Sequence, residues 1–319
     1  MFASDGTRVK PAAALARSAA LWLDRKGAFR KKAIEALTVS TGFSAPLVEM
    51  GIDNAFRVVT PKALASVKPA RESRILLIVC PSNVFTAWLP PAVLALASGH
   101  SVWLKPSVHE PVFPKLWRES VEMVDPSLAE RIKEIPWRKS IYEAADAVVA
   151  YGSDEAVAQL KEACGNKPFI GFGHQVSVGI LFCEALEPKR LPATREAIAH
   201  AVEPFRLQGC LSPIHLFIQS DDVSLWRRRF ESPAPFPRLE AFHSGPELLQ
   251  KLSSIPDRLA CIGWEGNPRS IKPLQASLTR LGVHRICPLG EMQSPPLSWA
   301  NGGIDLVEWL KFRTRSSIG

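Results

Sequence analysis

The sequence predicts an α/β fold: a doubly wound, mostly parallel sheet of the Rossmann-like kind, with a smaller α/β domain beside it in the chain. Three observations lead there. The run RILLIVC at 74–80, a helical stretch and the run SVWLK at 101–105 make one βαβ unit. The same order returns in ADAVVAYGSDEAVAQLKEA at 145–163. Strand-like and helix-like runs keep alternating as far as RLACIGWEG at 258–266, without an internal sequence repeat.

Each element has a local reason. RILLIVC is short, apolar and closed by Pro81, so it reads as a buried strand. The turn PSN leads to a helix over about 86–98, Gly99 and His100 punctuate it, and Pro106 stops the second strand. A third strand, at about 146–151, gives way at Gly152 and Ser153 to a helix whose first turn carries Asp154 and Glu155, the charges a helix N-terminus favours. PFIGF and QVSVGILF supply two further strands. TREAIAHAVE puts Ala197, Ile198, Ala201 and Val202 on one helical face and delivers the chain through Pro204 to Cys210. LSPIHLFIQ then reads as a strand and PELLQKLSSI as a helix before RLACIGWEG. The N-terminal apolar patch, interrupted by Arg17 and followed by Arg25 and Lys26, reads as an amphipathic helix and not as a signal peptide.

Composition narrows the function classes. The six cysteines, Cys80, Cys164, Cys183, Cys210, Cys261 and Cys287, form no C-x-x-C pair and no metal-ligand spacing, so neither a metal centre nor a disulfide scaffold is expected and a reducing cytoplasm is the natural home. The longest apolar stretch, VFTAWLPPAVLALASG, is broken by Pro90 and Pro91 and is shorter than the ~20 residues of a membrane helix, so no membrane span is expected. The net charge of +8 is densest in DRKGAFRKK and WRRRF. Such runs usually form a solvated face, with attraction of an anionic ligand as the sharper alternative. Nucleic acid is not expected, since little aromatic interleaving and no recognition motif accompany them.

The most unusual placement is that of Cys210 in FRLQGCLSP, on a loop where neither helix nor strand continues easily. A cysteine used for packing normally sits inside an apolar element. This loop and six other pieces, PSNVF, ALASGHSVWLKPS, YGSDEAV, GFGHQVSVGIL, RLACIGWEG and GVHRICPLGEM with SWANGG, together resemble the aldehyde dehydrogenase superfamily. The closer resemblance is to its LuxC-type acyl-CoA reductases, in order from about residue 70 to residue 303.

The resemblance implies a set of roles. Cys210 matches the nucleophile that accepts an acyl group, and Asn83 the side-chain amide that helps hold the developing oxyanion. Lys105, Pro106 and Ser107 match the stretch that contacts the adenosine ribose, where the lysine can serve a 2′-phosphate. Gly152 and Ser153 match the turn that carries a helix N-terminus toward the dinucleotide phosphates. His174 falls where the LuxC type also has Gly-His, and Glu231 aligns with the glutamate that holds the nicotinamide ribose. The cofactor implied is NADPH, by analogy with the reductases, and the partner an acyl-CoA or acyl-carrier-protein thioester.

Two departures sharpen the expectation. Aldehyde-oxidising members carry a water-activating glutamate, but the corresponding run here is GFGHQ and no glutamate lies between Lys167 and Cys183, which favours a reductase over a hydrolytic dehydrogenase. The interval from Cys210 to Glu231 is also far shorter than the catalytic segment of typical members. The expected division is a cofactor domain with an N-terminal helical segment over 1–205, a reduced catalytic domain over 206–290 and a return segment over 291–319. No equivalent of the superfamily's oligomerisation arm is evident, which leaves a homo-oligomer open. Two alternatives to thioester reduction stay open, an acyl phosphate reductase of the same fold and a member that binds nucleotide or a partner without turnover.

Overall fold

A computed structural model describes residues 10–136, 138, 140–230 and 235–311. The chain forms two compact units, residues 1–172 with 306–319, and residues 173–305. The first division thus falls earlier than the expected 205: the strand in QVSVGILF and the helix that follows it join the second sheet. Local alternation marks a strand but does not say which sheet it pairs with.

The first unit is built on a five-stranded sheet, β1 (Ile75–Val79), β2 (Ser101–Lys105), β3 (Ile132–Glu134), β4 (Ala147–Tyr151) and β5 (Phe169–Phe172), in the order β3-β2-β1-β4-β5. All its pairings are parallel, with Val79 beside Lys105 on one side and Ala150 on the other. A parallel sheet is covered on both faces, and its central strands are therefore apolar throughout: Leu76 to Val79 and Ala147 to Ala150 are all buried. Leu77 and Val148 pack with Ile141, Tyr142, Ala145 and Cys164, so the helices Ser140–Ala144 and Asp154–Cys164 cover one face.

The N-terminal residues of this unit form helices Pro11–Leu23, Ala28–Thr41 and Ala45–Phe56. The predicted amphipathic helix buries Ala14, Leu15, Ser18, Ala19 and Trp22, a stripe at helical spacing. Trp22 stacks on Phe56 at 4.6 Å, meets Phe29 and Phe113 edge-on, and donates through Nε1 to Ser120 Oγ at 2.9 Å. Within DRKGAFRKK, Arg30 departs from the expected solvated face: it is buried, donates to Trp22 O and pairs with Asp53 at 2.6 Å. Burying a guanidinium is tolerable only with such partners. Arg227, Arg228 and Arg229 of WRRRF are exposed, as expected.

The second unit repeats the topology without repeating the sequence. Its strands are β6 (Val176–Leu181), β7 (Pro213–Ile218), β8 (Arg238–Ala241), β9 (Leu259–Glu265) and β10 (Ile286–Pro288), in the order β10-β9-β6-β7-β8, again all parallel. In both sheets the first strand in sequence is central, the next two extend one side and the last two the other. Val176, Val178 and Ile180 of β6 pack with Phe242, Leu248, Leu252, Ile271 and Leu278 on one face. Leu181 joins Ile198, Ala201, Val202, Trp226, Leu289 and Met292 on the other. The alternation of β6 between two helical layers is the period of two a strand imposes.

Candidate active site

In the first unit the predicted cofactor residues converge on one sheet edge. β1, β2 and β4 are neighbours, so the segments leaving their C-terminal ends emerge side by side: Pro81 to Asn83 after β1, Pro106 and Ser107 after β2, Gly152 and Ser153 after β4. Chain direction across the sheet reverses between β1 and β4, and open parallel sheets bind ligands beyond the strand C-termini at such a reversal. Lys105 ends β2, and its carbonyl accepts the Cys80 N–H at 3.0 Å, which fixes the two ends in step. Ser107 is buried and its Oγ accepts the His109 N–H, whereas Gly152 and Ser153 are exposed.

Ser153 caps the helix Asp154–Cys164 by accepting the Ala156 N–H at 3.2 Å. The first-turn N–H groups of that helix are donors of the kind that can hold a phosphate. Asp154 and Glu155 already place negative charge on the same N-terminus. Asn83 is exposed and its Oδ1 accepts the adjacent Val84 N–H at 3.0 Å. It does not cap the following helix, which begins at Leu89 with Trp88 as its cap residue. Leu89 and Ala92 to Leu96 are buried in the core of the unit.

In the second unit Cys210 stands at the N-terminal edge of the sheet, on the loop between the helix Leu191–Val202 and β7. The chain reaches it through Phe205, Arg206 and Leu207, which have φ of 57°, 49° and 60°. Three consecutive left-handed residues without glycine are costly, roughly 1–2 kcal/mol each. The Cys210 carbonyl accepts a hydrogen bond from Ser177 Oγ on β6 at 2.6 Å, and the Ser212 N–H donates to Gly209 O at 2.9 Å. Gln293 reaches the same loop, its Nε2 donating to Ala201 O at 2.8 Å and to Ser212 Oγ at 3.0 Å.

The Cys210 side chain is open to solvent, yet the protein atoms around it desolvate the thiolate and push its pKa up to about 11, against a smaller opposing effect of its own backbone N–H. The resting group is therefore a thiol, not a preformed thiolate. Of the other cysteines, Cys80, Cys164, Cys261 and Cys287 are buried, as expected of packing residues. Cys183 is exposed but follows β6 at the opposite edge of the sheet from Cys210.

His174 also lies at the N-terminal edge of the second sheet, exposed, with Nε2 3.5 Å from Asp257 Oδ1. Glu231 lies outside the described residues. Sequence reasoning missed Ser177 and Gln293, both buried. Ser177 sits in an apolar strand run, and such a buried hydroxyl must find a partner, which is the one available signal. Among the described residues no group of three or more His, Cys, Asp or Glu could hold a metal ion, and no helix is long and apolar enough to cross a membrane.

Comparison with known proteins identifies the family and the fold. The family model described as acyl-CoA reductase (LuxC) matches residues 67–232, which include Asn83, Lys105, the 152–153 turn and Cys210. Among solved structures, an oxidoreductase from Marinobacter aquaeolei is similar with a TM-score of 0.74 at 10% identity, covering 94% of this chain and 83% of that one. Aldehyde dehydrogenase 21 from Physcomitrella patens gives 0.70 at 10% identity over 94% and 84%, and a NAD-dependent benzaldehyde dehydrogenase from Corynebacterium glutamicum gives 0.67 at 12% over 88% and 81%. No curated protein matches in sequence. At these identities the structures establish the aldehyde dehydrogenase fold. Because the family model spans more than half of the chain, this protein belongs to the LuxC acyl-CoA reductase family and is an oxidoreductase of the aldehyde dehydrogenase fold.

Proposed function

We propose that this protein reduces an acyl thioester to an aldehyde through an acyl-Cys210 intermediate, with the first unit holding NADPH and the second supplying the nucleophile. The observation that carries the reading is Cys210 itself: a solvent-open thiol on a loop whose carbonyl is pinned by Ser177, inside the span matched by the acyl-CoA reductase model. The sulfur attacks the acyl carbon, the C–S bond to the carrier breaks, and the Cys210 proton leaves with the carrier thiol. The Cys210 backbone N–H is assigned to the oxyanion that forms in each half-reaction.

Lys105, Pro106, Ser107 and the turn at Gly152 and Ser153 are the residues assigned to the cofactor, which when bound supplies hydride. Hydride addition to the acyl carbon would leave the alkoxide of a thiohemiacetal on Cys210. Its collapse, with uptake of one proton, releases the aldehyde and restores the thiol. The absence of a glutamate between Lys167 and Cys183 supports this fate for the acyl group over hydrolysis. The thiol raised to about 11 favours a second reading, a member that binds nucleotide or a partner without turnover.

Intact-protein mass after incubation with a panel of acyl-CoAs, without and with NADPH, separates the two readings. Thioester reduction requires an acyl adduct on the wild type, none on Cys210→Ala, and discharge as aldehyde when NADPH is added. Cofactor binding with no adduct from any acyl-CoA, acyl carrier protein or acyl phosphate sinks the enzymatic reading. An adduct from acyl phosphate alone moves the substrate class.

A further inference from the structure

The loop that carries Cys210 leaves the helix Leu191–Val202 and returns to the sheet at Pro213. Its two ends are joined by one side chain from elsewhere in the unit. Gln293 Nε2 donates to Ala201 O, in the last turn of the entering helix, and to Ser212 Oγ, the residue before β7. Ala201, Ser212 and Gln293 are all buried. The last-turn carbonyls of a helix lack intrahelical partners, so Gln293 satisfies a group that burial would otherwise strand.

Within this closed base lies the left-handed run Phe205, Arg206 and Leu207. Such a run persists only where the surroundings over-determine it. The segment bearing Gln293 is itself fixed: the buried Arg285, just before β10, donates to Glu291 O at 2.7 Å and Met292 O at 2.6 Å, and its guanidinium lies 5.9 Å from the Trp299 ring. A connected set of buried hydrogen bonds therefore runs from Arg285 through the 291–293 backbone and the Gln293 amide to both ends of the Cys210 loop. Ser177 holds the carbonyl in its middle.

We propose that Gln293 is a positioning residue for Cys210: its amide closes the base of the loop and so fixes where the thiol stands. The proposal rests on the thioester reductase reading only in taking Cys210 as the nucleophile. The test uses the full-length protein and Gln293→Met, which keeps the length and bulk of the side chain but removes both donors. The rate of alkylation by iodoacetamide is followed at Cys210 and Cys183 by peptide mass, with thermal stability and steady-state kinetics alongside.

Positioning requires that the Cys210 alkylation rate change by about fivefold or more while that of Cys183 holds, because only the loop is freed. It also requires kcat to fall about 10- to 100-fold with KM for the thioester nearly constant, since a misplaced reacting atom slows chemistry more than binding. A lowered melting temperature with unchanged Cys210 alkylation and kcat means that Gln293 only stabilises the fold, and overturns the proposal. If Gln293→Met does not fold, Ser212→Ala, which removes one acceptor, carries the same two readouts with a smaller expected effect. The alkylation readout needs no turnover, so a Cys210→Ala protein that still reduces thioesters refutes the nucleophile assignment and leaves the loop measurement standing.

Discussion

Raising the pH should go on activating Cys210 above about pH 9, where an ordinary thiol is already mostly ionised. Desolvation moves its pKa from the ordinary 9.0 to about 11. At pH 8 a thiol at 9.0 is about one-tenth ionised and one at 11 about one-thousandth, a deficit of about a hundredfold in the reactive form. Alkylation of Cys210 by iodoacetamide should therefore climb about tenfold per pH unit from pH 7 to pH 10, whereas the rate of a thiol at 9.0 bends over near pH 9 and is nearly level by about pH 10. Peptide mass spectrometry of timed, acid-quenched samples gives the rate at this one site. A Cys210 rate that levels off below about pH 8.5 would falsify the desolvation argument and require a cation beside the sulfur. If the prediction holds, acylation needs the attacking sulfur to shed its proton as the carrier departs, and kcat should rise with pH over the same interval wherever acylation limits the rate.

Two further outcomes follow from the geometry. Replacing Lys105 with alanine should raise KM for NADPH about 10- to 100-fold, the worth of one hydrogen bond to a charged group, and raise KM for NADH much less; equal effects on the two cofactors would argue against a role at the 2′-phosphate. Gly263→Ala should destabilise the second unit by about 1–3 kcal/mol in urea unfolding, because overpacking a filled core costs that much. The new Cβ would stand 2.3 Å from Met292 Sδ and 2.9 Å from Leu289 Cδ1, so an unchanged midpoint would mean that those side chains move aside freely.

How much was legible in the sequence depended on the strand. β1, β2, β4, β6, β7 and β9 announced themselves as apolar runs between turn residues, because central parallel strands are buried on both faces, and the edge strand β5 was legible as the apolar run PFIGF. β3 (IKE), β8 (RLEA) and β10 (ICP) did not: they are edge strands of three or four residues, too short for a period to show, and β3 and β8 carry charge besides. Cys210 stood out because Gly209 and Pro213 bracket it. The left-handed turn before it was invisible, since Phe205, Arg206 and Leu207 are not residues that choose positive φ on their own account and only tertiary packing holds them there. Gln293 was equally silent. An amide declares its role through the groups it meets, and those come from positions 201 and 212.

The shared strand order of the two sheets bears on how the chain assembles during synthesis. Strands emerge from the ribosome in sequence order, and in each sheet the first to emerge is the one that ends up in the centre. β2 finds β1 waiting, β3 finds β2, and β4 returns to the open side of β1; β6, β7 and β9 stand in the same relation. Only β1 and β6 must wait for a partner not yet made. Parallel pairing is slow because each contact closes a long loop, and unpaired edges are where nascent chains aggregate. A sheet that grows outward from its oldest strand keeps the number of unpaired strands low at every chain length.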